Sequence, residues 1–285
     1  MRRSAPGRSA SGSDVTAPKR FPATLKPAAA AVQREVLMPQ RHLHQATRDA
    51  ARLARPSGTG LDGGAVRERM VARLRAEGRF DERVLAAMAA VPRHEFVDTA
   101  LAAQAYEDTA LPIGHGQTIS KPSVVAHMLG LLFAGHGARQ RGSLGRVLEI
   151  GTGCGYQAAV IALLARQLTT IERLQGLHDK ARQNLQRVAL PRSQPAPRLI
   201  WGDGHAGHAA SGPFDSIIAA AGGEDLPPAW AAQLAPGGRL VAPMAAAGRG
   251  QVLVVLDHVV EGGASRWVRS EHEAVLFVPL KSGVV

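Results

Sequence analysis

The sequence predicts an α/β fold: a doubly wound, mostly parallel sheet of seven strands, preceded by a helical subdomain and closed by an antiparallel C-terminal edge. Three observations predict it. Apolar, β-branched runs recur at 146–150, 168–172, 198–201, 216–220, 239–243, 252–257 and 274–279, and helical stretches at 157–166, 174–188 and 228–234 separate several of the early ones. A glycine-rich turn follows the first run and opens the next helix. Only the polar, glycine-containing stretch 261–270 joins the last two runs, so an antiparallel edge pair is the economical reading.

Upstream, residues 1–64 read as a basic, disordered extension ending in a linker, and 65–285 as the folded domain, divided into a helical, acceptor-side part (65–135) and a ligand-binding α/β core (136–285). The extension is rich in Ala, Arg, Pro and Ser, with Phe21 its only aromatic residue before the turn-rich stretch 56–64. Its Arg- and Ser-rich, acid-poor composition is that of a transit peptide, yet it lacks the apolar core of a secretory signal; an unstructured extension is the plainer reading. From Val66, the spacing of Met70, Val71 and Leu74 predicts a helix. A second is expected after Asp81, a suitable N-cap, through Val84, Leu85 and Met88. Pro122 fits the first turn of a third, which carries Val124, Val125, Met128 and Leu132.

The net charge of +11 could suggest a nucleic-acid binder, but its placement argues otherwise. Residues 1–60 hold eleven Lys and Arg against three acids, leaving 23 basic and 20 acidic residues in the remainder. A domain so nearly balanced has little to track phosphates with, and no nucleic-acid partner is expected. The single cysteine, Cys154, rules out an internal disulfide and any multi-cysteine zinc site, which fits a reducing cytoplasm. No run of about 18 apolar residues is present, so no membrane helix is expected. His205 and His208 lack a third convergent ligand, so no metal is expected either.

The strongest local signal is 147–156, Val-Leu-Glu-Ile-Gly-Thr-Gly-Cys-Gly-Tyr, with glycines at Gly151, Gly153 and Gly155. Glycine lets the chain turn sharply off a strand and lets a ligand approach the backbone, while the following helix start offers free N–H groups. A dinucleotide fingerprint would be spaced G-x-G-x-x-G to seat a pyrophosphate, and this spacing differs. With the preceding Glu149, it resembles the first motif of class I methyltransferases, whose Rossmann-like fold passes this loop beneath the amino-acid part of S-adenosylmethionine. Glu172, 21 residues after Gly151 at the end of the next strand, suits an acceptor for two ribose hydroxyls. Asp203 and Gly204, ending the third strand, resemble the segment that such enzymes place beside adenine.

The acceptor is indicated by 105–122, Ala-Tyr-Glu-Asp-Thr-Ala-Leu-Pro-Ile-Gly-His-Gly-Gln-Thr-Ile-Ser-Lys-Pro. This stretch closely resembles the protein-L-isoaspartate methyltransferase family, as do 91–96, 202–204, 213–215, 233–234, 236–238 and 277–280. The similarity spans about 66–280. It implies that Ser120 is the active-site residue and that the backbone of Gln117, Thr118, Ile119 and Ser120 lies against the cofactor. Ser120 is also placed to cap the helix entered through Pro122. Lys121 and Ser123 stand where the family often has Gln and an aromatic residue. Lys281 stands where some relatives carry a hydroxyl, so that contact is not carried over.

The reaction the resemblance implies is transfer of the sulfonium methyl to an isoaspartyl α-carboxylate in damaged peptides and proteins, as the first step of repair, by a monomeric enzyme. A carboxylate is already ionised at pH 7, so no general base is needed; His115, between two glycines, is expected to be a loop hydrogen-bonder. Cys154 has no nearby activating base and is expected to fill space. A class I methyltransferase acting on a small molecule or RNA is the nearest rival; a nicotinamide-dependent dehydrogenase is disfavoured by the glycine spacing.

Overall fold

The computed structural model describes residues 63–188 and 195–285. Residues 1–62 of the extension and linker expected over 1–64 lie outside the described residues, and its last two, Gly63 and Gly64, begin the first helix.

Helix α1 (Gly63–Ala76) buries Met70, Val71 and Leu74, and α2 (Glu82–Ala90) buries Val84, Leu85 and Met88, the stripes that the spacing predicts. Asp81 caps α2 by accepting the Arg83 N–H at 2.9 Å. A short hairpin follows, unpredicted by the periodicity: β1 (Leu111–Gly114) pairs antiparallel with β2 (Gln117–Ile119). Strands this short carry too few alternations to register in a sequence. The turn joining them runs through Gly114, His115 and Gly116 at φ of 96°, 54° and 67°, a left-handed run that glycine supplies at two of three positions. Helices α3 (Pro122–Phe133) and α4 (His136–Arg141) complete the first part, with Pro122 in the first turn of α3 as expected.

Seven strands then form one sheet: β3 (Arg146–Ile150), β4 (Gln167–Glu172), β5 (Arg198–Trp201), β6 (Phe214–Ala219), β7 (Leu234–Ala246), β8 (Gly250–Glu261) and β9 (Ala264–Val275). Their order is β5-β4-β3-β6-β7-β8-β9; the first five are parallel, and β8 and β9 antiparallel. Helices α5 (Tyr156–Ala162), α6 (Gln175–Arg187) and α7 (Pro228–Ala232) connect the parallel strands. Alternation within a strand feeds two cores. Val147 packs with Met88, Leu129 and Val160 on one face, whereas Leu148 packs with Ile217, Trp230 and Leu240 on the other. Each such side chain contributes about 1.5–3 kcal/mol on burial, so both faces must stay covered.

Two expectations need correction. The stretch 261–270 is not a connector: β9 begins at Ala264, and Gly262 and Gly263, both at positive φ, turn the chain within two residues. The run 274–279 is not the edge strand, and past Val275 it makes only a single parallel bridge, Pro279 to Gly222. Strand β8 buries Val252–Leu256, as its apolar run predicts, whereas β9 at the sheet edge is largely exposed, so its residues are polar and read as loop; 276–280 is apolar for a different reason, given below.

Candidate active site

The strand order reverses between β4 and β6, on either side of β3, and there the C-terminal strand ends open onto a cavity of about 400 Å³. An open α/β sheet binds its ligand at this position. The floor is the loop after β3, whose Gly151, Gly153 and Gly155 have φ of 89°, 57° and 91°, all left-handed. Gly151, Thr152, Gly153 and Cys154 line the cavity. Gly155 does not; a Cβ there would press on Ala181 of α6 at 3.4 Å, so it serves close packing beneath the loop. Asn184 pins the loop from the same side by donating to the Cys154 carbonyl at 2.9 Å.

Glu172 lines the cavity at the tip of β4. One carboxylate oxygen accepts the Gly153 N–H at 2.9 Å and the other the Leu174 N–H at 3.0 Å. Each oxygen retains a further lone pair for a ligand. Glu149 is fully buried beneath the loop and does not reach the cavity. It accepts from Gln157 Nε2 at 3.1 Å and from Thr170 Oγ1 at 2.6 Å, and Thr170 in turn meets Thr152 Oγ1 at 2.6 Å. Burial pushes its carboxyl up to about 7, although both hydrogen bonds pull the other way. Gly204 lines the cavity, and a Cβ there would meet Ile150 Cγ2 at 2.5 Å. Asp203 turns away: it accepts the His205 N–H at 2.9 Å and the Gly283 N–H at 2.7 Å.

The opposite wall is the hairpin segment, where Gln117, Thr118, Ile119 and Ser120 all line the cavity. Ser120 is not the cap of α3. Asp108 takes that part, accepting the Ser123 N–H at 2.8 Å and the Ser123 hydroxyl at 2.7 Å. The departure at Ser123 thus completes a cap, and the Ser120 hydroxyl has no hydrogen-bond partner among the described residues. Its carbonyl accepts Nη2 of the fully buried Arg93 at 2.7 Å. His115 packs over α6 so closely that a Cβ on Gly176 would fall 2.6 Å from its Nε2. Lys180 ties the same hairpin down through the Ile113 carbonyl at 2.9 Å. Cys154 is buried, and burial pushes its thiol up, away from nucleophilic use.

The third wall was touched in the sequence only through the family resemblance of 277–280 and the contact not carried over at Lys281, which does line the cavity. Val278, Pro279, Leu280, Lys281 and Val285 line the cavity, which is why 276–280 is apolar without being a strand. This wall is laced to the loop after β6 by Gly222 N–H to the Val278 carbonyl and Leu280 N–H to the Gly222 carbonyl, both at 2.8 Å. Arg173 and Gln175 hold it at the other end through Val285, at 2.9 and 2.7 Å. Tyr156 was missed. It lines the cavity, its buried hydroxyl has no partner among the described residues, and burial pushes its phenol up to about 12. Among the described residues no cluster could hold a metal ion, and no helix is long and apolar enough to cross a membrane.

A mixed seven-stranded sheet with an antiparallel edge, opening its ligand cavity over a glycine loop and a strand-end acid, is the arrangement of class I S-adenosylmethionine-dependent methyltransferases. Residues 65–285 match the family described as protein-L-isoaspartate(D-aspartate) O-methyltransferase. A relative of that name from Methylibium petroleiphilum is 60% identical over 271 residues, 94% of this chain and 97% of its own. Another from Leptothrix cholodnii is 61% identical over 246 residues, 86% of this chain and 83% of its own. The chain belongs to the protein-L-isoaspartate(D-aspartate) O-methyltransferase family. Among solved structures, a protein-L-isoaspartate O-methyltransferase is similar at TM-score 0.64 and 24% identity, covering 76% of this chain and 67% of that one. A Plasmodium falciparum chain described as an enzyme of the same kind, in complex with S-adenosyl-L-homocysteine, gives 0.63 and 23%, covering 75% of this chain and 98% of that one. At those identities the likeness speaks for the fold.

Proposed function

We propose that this protein transfers the methyl group of S-adenosylmethionine to the α-carboxylate of L-isoaspartyl residues in damaged peptides and proteins. The observation that carries this reading is Ser120: in a chain of this family, it lines the cavity whose floor is the glycine loop, and its hydroxyl has no hydrogen-bond partner among the described residues. The cavity fits the cofactor on its own terms. Its volume lies within the usual range for small-molecule sites, its glycine floor admits close backbone approach, and Glu172 keeps acceptor capacity on both oxygens.

In this reading Gly151 and Gly153 pass beneath the cofactor's amino-acid part, Glu172 takes the ribose hydroxyls, Gly204 lies beside adenine, and 117–120 close the site. Glu149, Gly155 and Asp203 act one layer back, holding the loop, its packing and the C-terminal wall. Held there, S-adenosylmethionine would supply a sulfonium methyl whose bond to sulfur breaks as a bond to the carboxylate oxygen forms, giving the methyl ester and S-adenosylhomocysteine. The protein has no proton to remove, because the acceptor carboxylate is already ionised. A cationic clamp on that carboxylate would stabilise the ground state more than a transition state in which charge is being neutralised. One neutral donor, the Ser120 hydroxyl, orients the carboxylate without that cost, and the enclosing walls exclude water. We assign 65–135 to the acceptor side and 136–285 to the cofactor side, in a cytoplasmic monomer. A panel of an isoaspartyl peptide, small carboxylates and RNA, read by S-adenosylhomocysteine release, is expected to give turnover with the peptide alone. Turnover confined to another acceptor would overturn the assignment.

A further inference from the structure

Arg93 is fully buried in a short 3-10 turn (Arg93–Phe96), yet it has no ion-pair partner among the described residues. Its Nε donates to the Ala105 carbonyl at 2.7 Å and its Nη2 to the Ser120 carbonyl at 2.7 Å. The guanidinium carbon lies 4.7 Å from the centre of the Tyr156 ring, and Nη1 has no partner among the described residues. Burying a cation without a counter-ion is costly, and two carbonyls alone do not require one. What a guanidinium provides is a rigid plane that can bond two groups in fixed directions and stack on a third. The three groups it joins here belong to different segments, two of which line the cavity. Ser120 lies on the acceptor wall, Tyr156 heads the helix that follows the glycine loop, and Ala105 begins the stretch leading into the hairpin.

We propose that Arg93 is a positioning residue for methyl transfer: by bonding the Ser120 carbonyl while stacking on Tyr156, it sets the acceptor wall relative to the cofactor loop. The inference rests on the reading of Ser120 given above. In-line transfer tolerates little misplacement of the reacting groups, so a shift of this wall reaches the rate although Arg93 touches neither reactant. Lysine in its place keeps the charge and loses the fork, so it cannot serve both carbonyls and the ring together.

The test is a double-mutant cycle with isoaspartyl peptide at saturating S-adenosylmethionine, using wild type, Arg93→Lys, Ser120→Ala and the double variant, each shown to be folded. Arg93→Lys is expected to lower kcat by roughly 10- to 100-fold, with peptide KM and S-adenosylhomocysteine affinity within about 3-fold. In the Ser120→Ala background the same change is expected to cost less than about 3-fold, because no hydroxyl remains to be placed. Equal losses in both backgrounds overturn the role of Arg93 and leave that of Ser120 intact. A wild-type rate for Ser120→Ala alone is a separate failure, overturning the reading of Ser120 and with it the group that Arg93 places. If Arg93→Lys does not fold, the arginine Nε–H resonance of wild type decides. It is expected to exchange slowly and to shift when isoaspartyl peptide joins the S-adenosylhomocysteine complex, and an unshifted resonance overturns the proposal.

Discussion

Ser120 lines the cavity with its hydroxyl unpartnered among the described residues, and the helix it precedes is capped by Asp108, fifteen residues before Ser123. Orientation and capping, both open to Ser120 in the sequence, therefore fall to different residues. Ser120→Ala is expected to lower the rate with isoaspartyl peptide by roughly 10- to 1,000-fold while denaturant stability moves by less than about 0.5 kcal/mol. Rate and stability measured on one sample separate this from a capping loss, which would cost about 0.5–2 kcal/mol and spare turnover. Glu172 has two duties, since its oxygens hold Gly153 and Leu174 as well as facing the cavity. Glu172→Ala is expected to weaken S-adenosylmethionine binding by about 1.5–3 kcal/mol in calorimetry. Unchanged affinity would move the ribose site elsewhere. Ser120 and Glu172 were legible because a motif or a strand end marks them. Asp108 and Arg93 were not, because their partners lie 15 and 27 residues away and no local pattern encodes such contacts.

At the scale of elements, the loop after β3 is held from below by a chain in which Glu149 accepts from the Thr170 hydroxyl and Thr170 meets the Thr152 hydroxyl. The carboxyl of Glu149 is raised by burial from the ordinary 4.5 to about 7, so the folded state binds its proton more tightly than the unfolded chain does. Its contribution is therefore fully present below about pH 4.5 and is lost as pH rises through about 7. Glu149→Gln should remove that dependence, leaving wild type less stable relative to the variant as pH rises from 5 to 8, by on the order of 3 kcal/mol over the full span. Urea unfolding at both pH values checks it, and a pH-independent difference between the two proteins contradicts it. The acid was legible in the sequence as part of the glycine-loop motif, but its burial was not, because a residue at a strand end can face either way. Strand β9 misled for a different reason: at the exposed edge of the sheet it needs no apolar face, so only the turn glycines before it, Gly262 and Gly263, mark it.

For the molecule as a whole, the order of the parallel strands decides where the chemistry sits, because only the reversal at β3 leaves a crevice between the crossover helices. Six of the seven strands were legible: β3, β4, β6, β7 and β8 each bury an apolar run, and β5, at the other edge, still carries Leu199 and Ile200. The closure of the cavity was not legible: the hairpin 111–119 and the wall 278–285 meet it from opposite ends of the folded domain, and chain distance gives no hint of that. The central claim is that this cavity brings an isoaspartyl carboxylate to a methyl donor. Its most direct test compares one peptide in its isoaspartyl and aspartyl forms, following methyl ester formation by mass spectrometry with S-adenosylmethionine as donor. Methylation of the isoaspartyl form, with the aspartyl form untouched, is the predicted result; equal methylation of both, or of neither, would contradict the account.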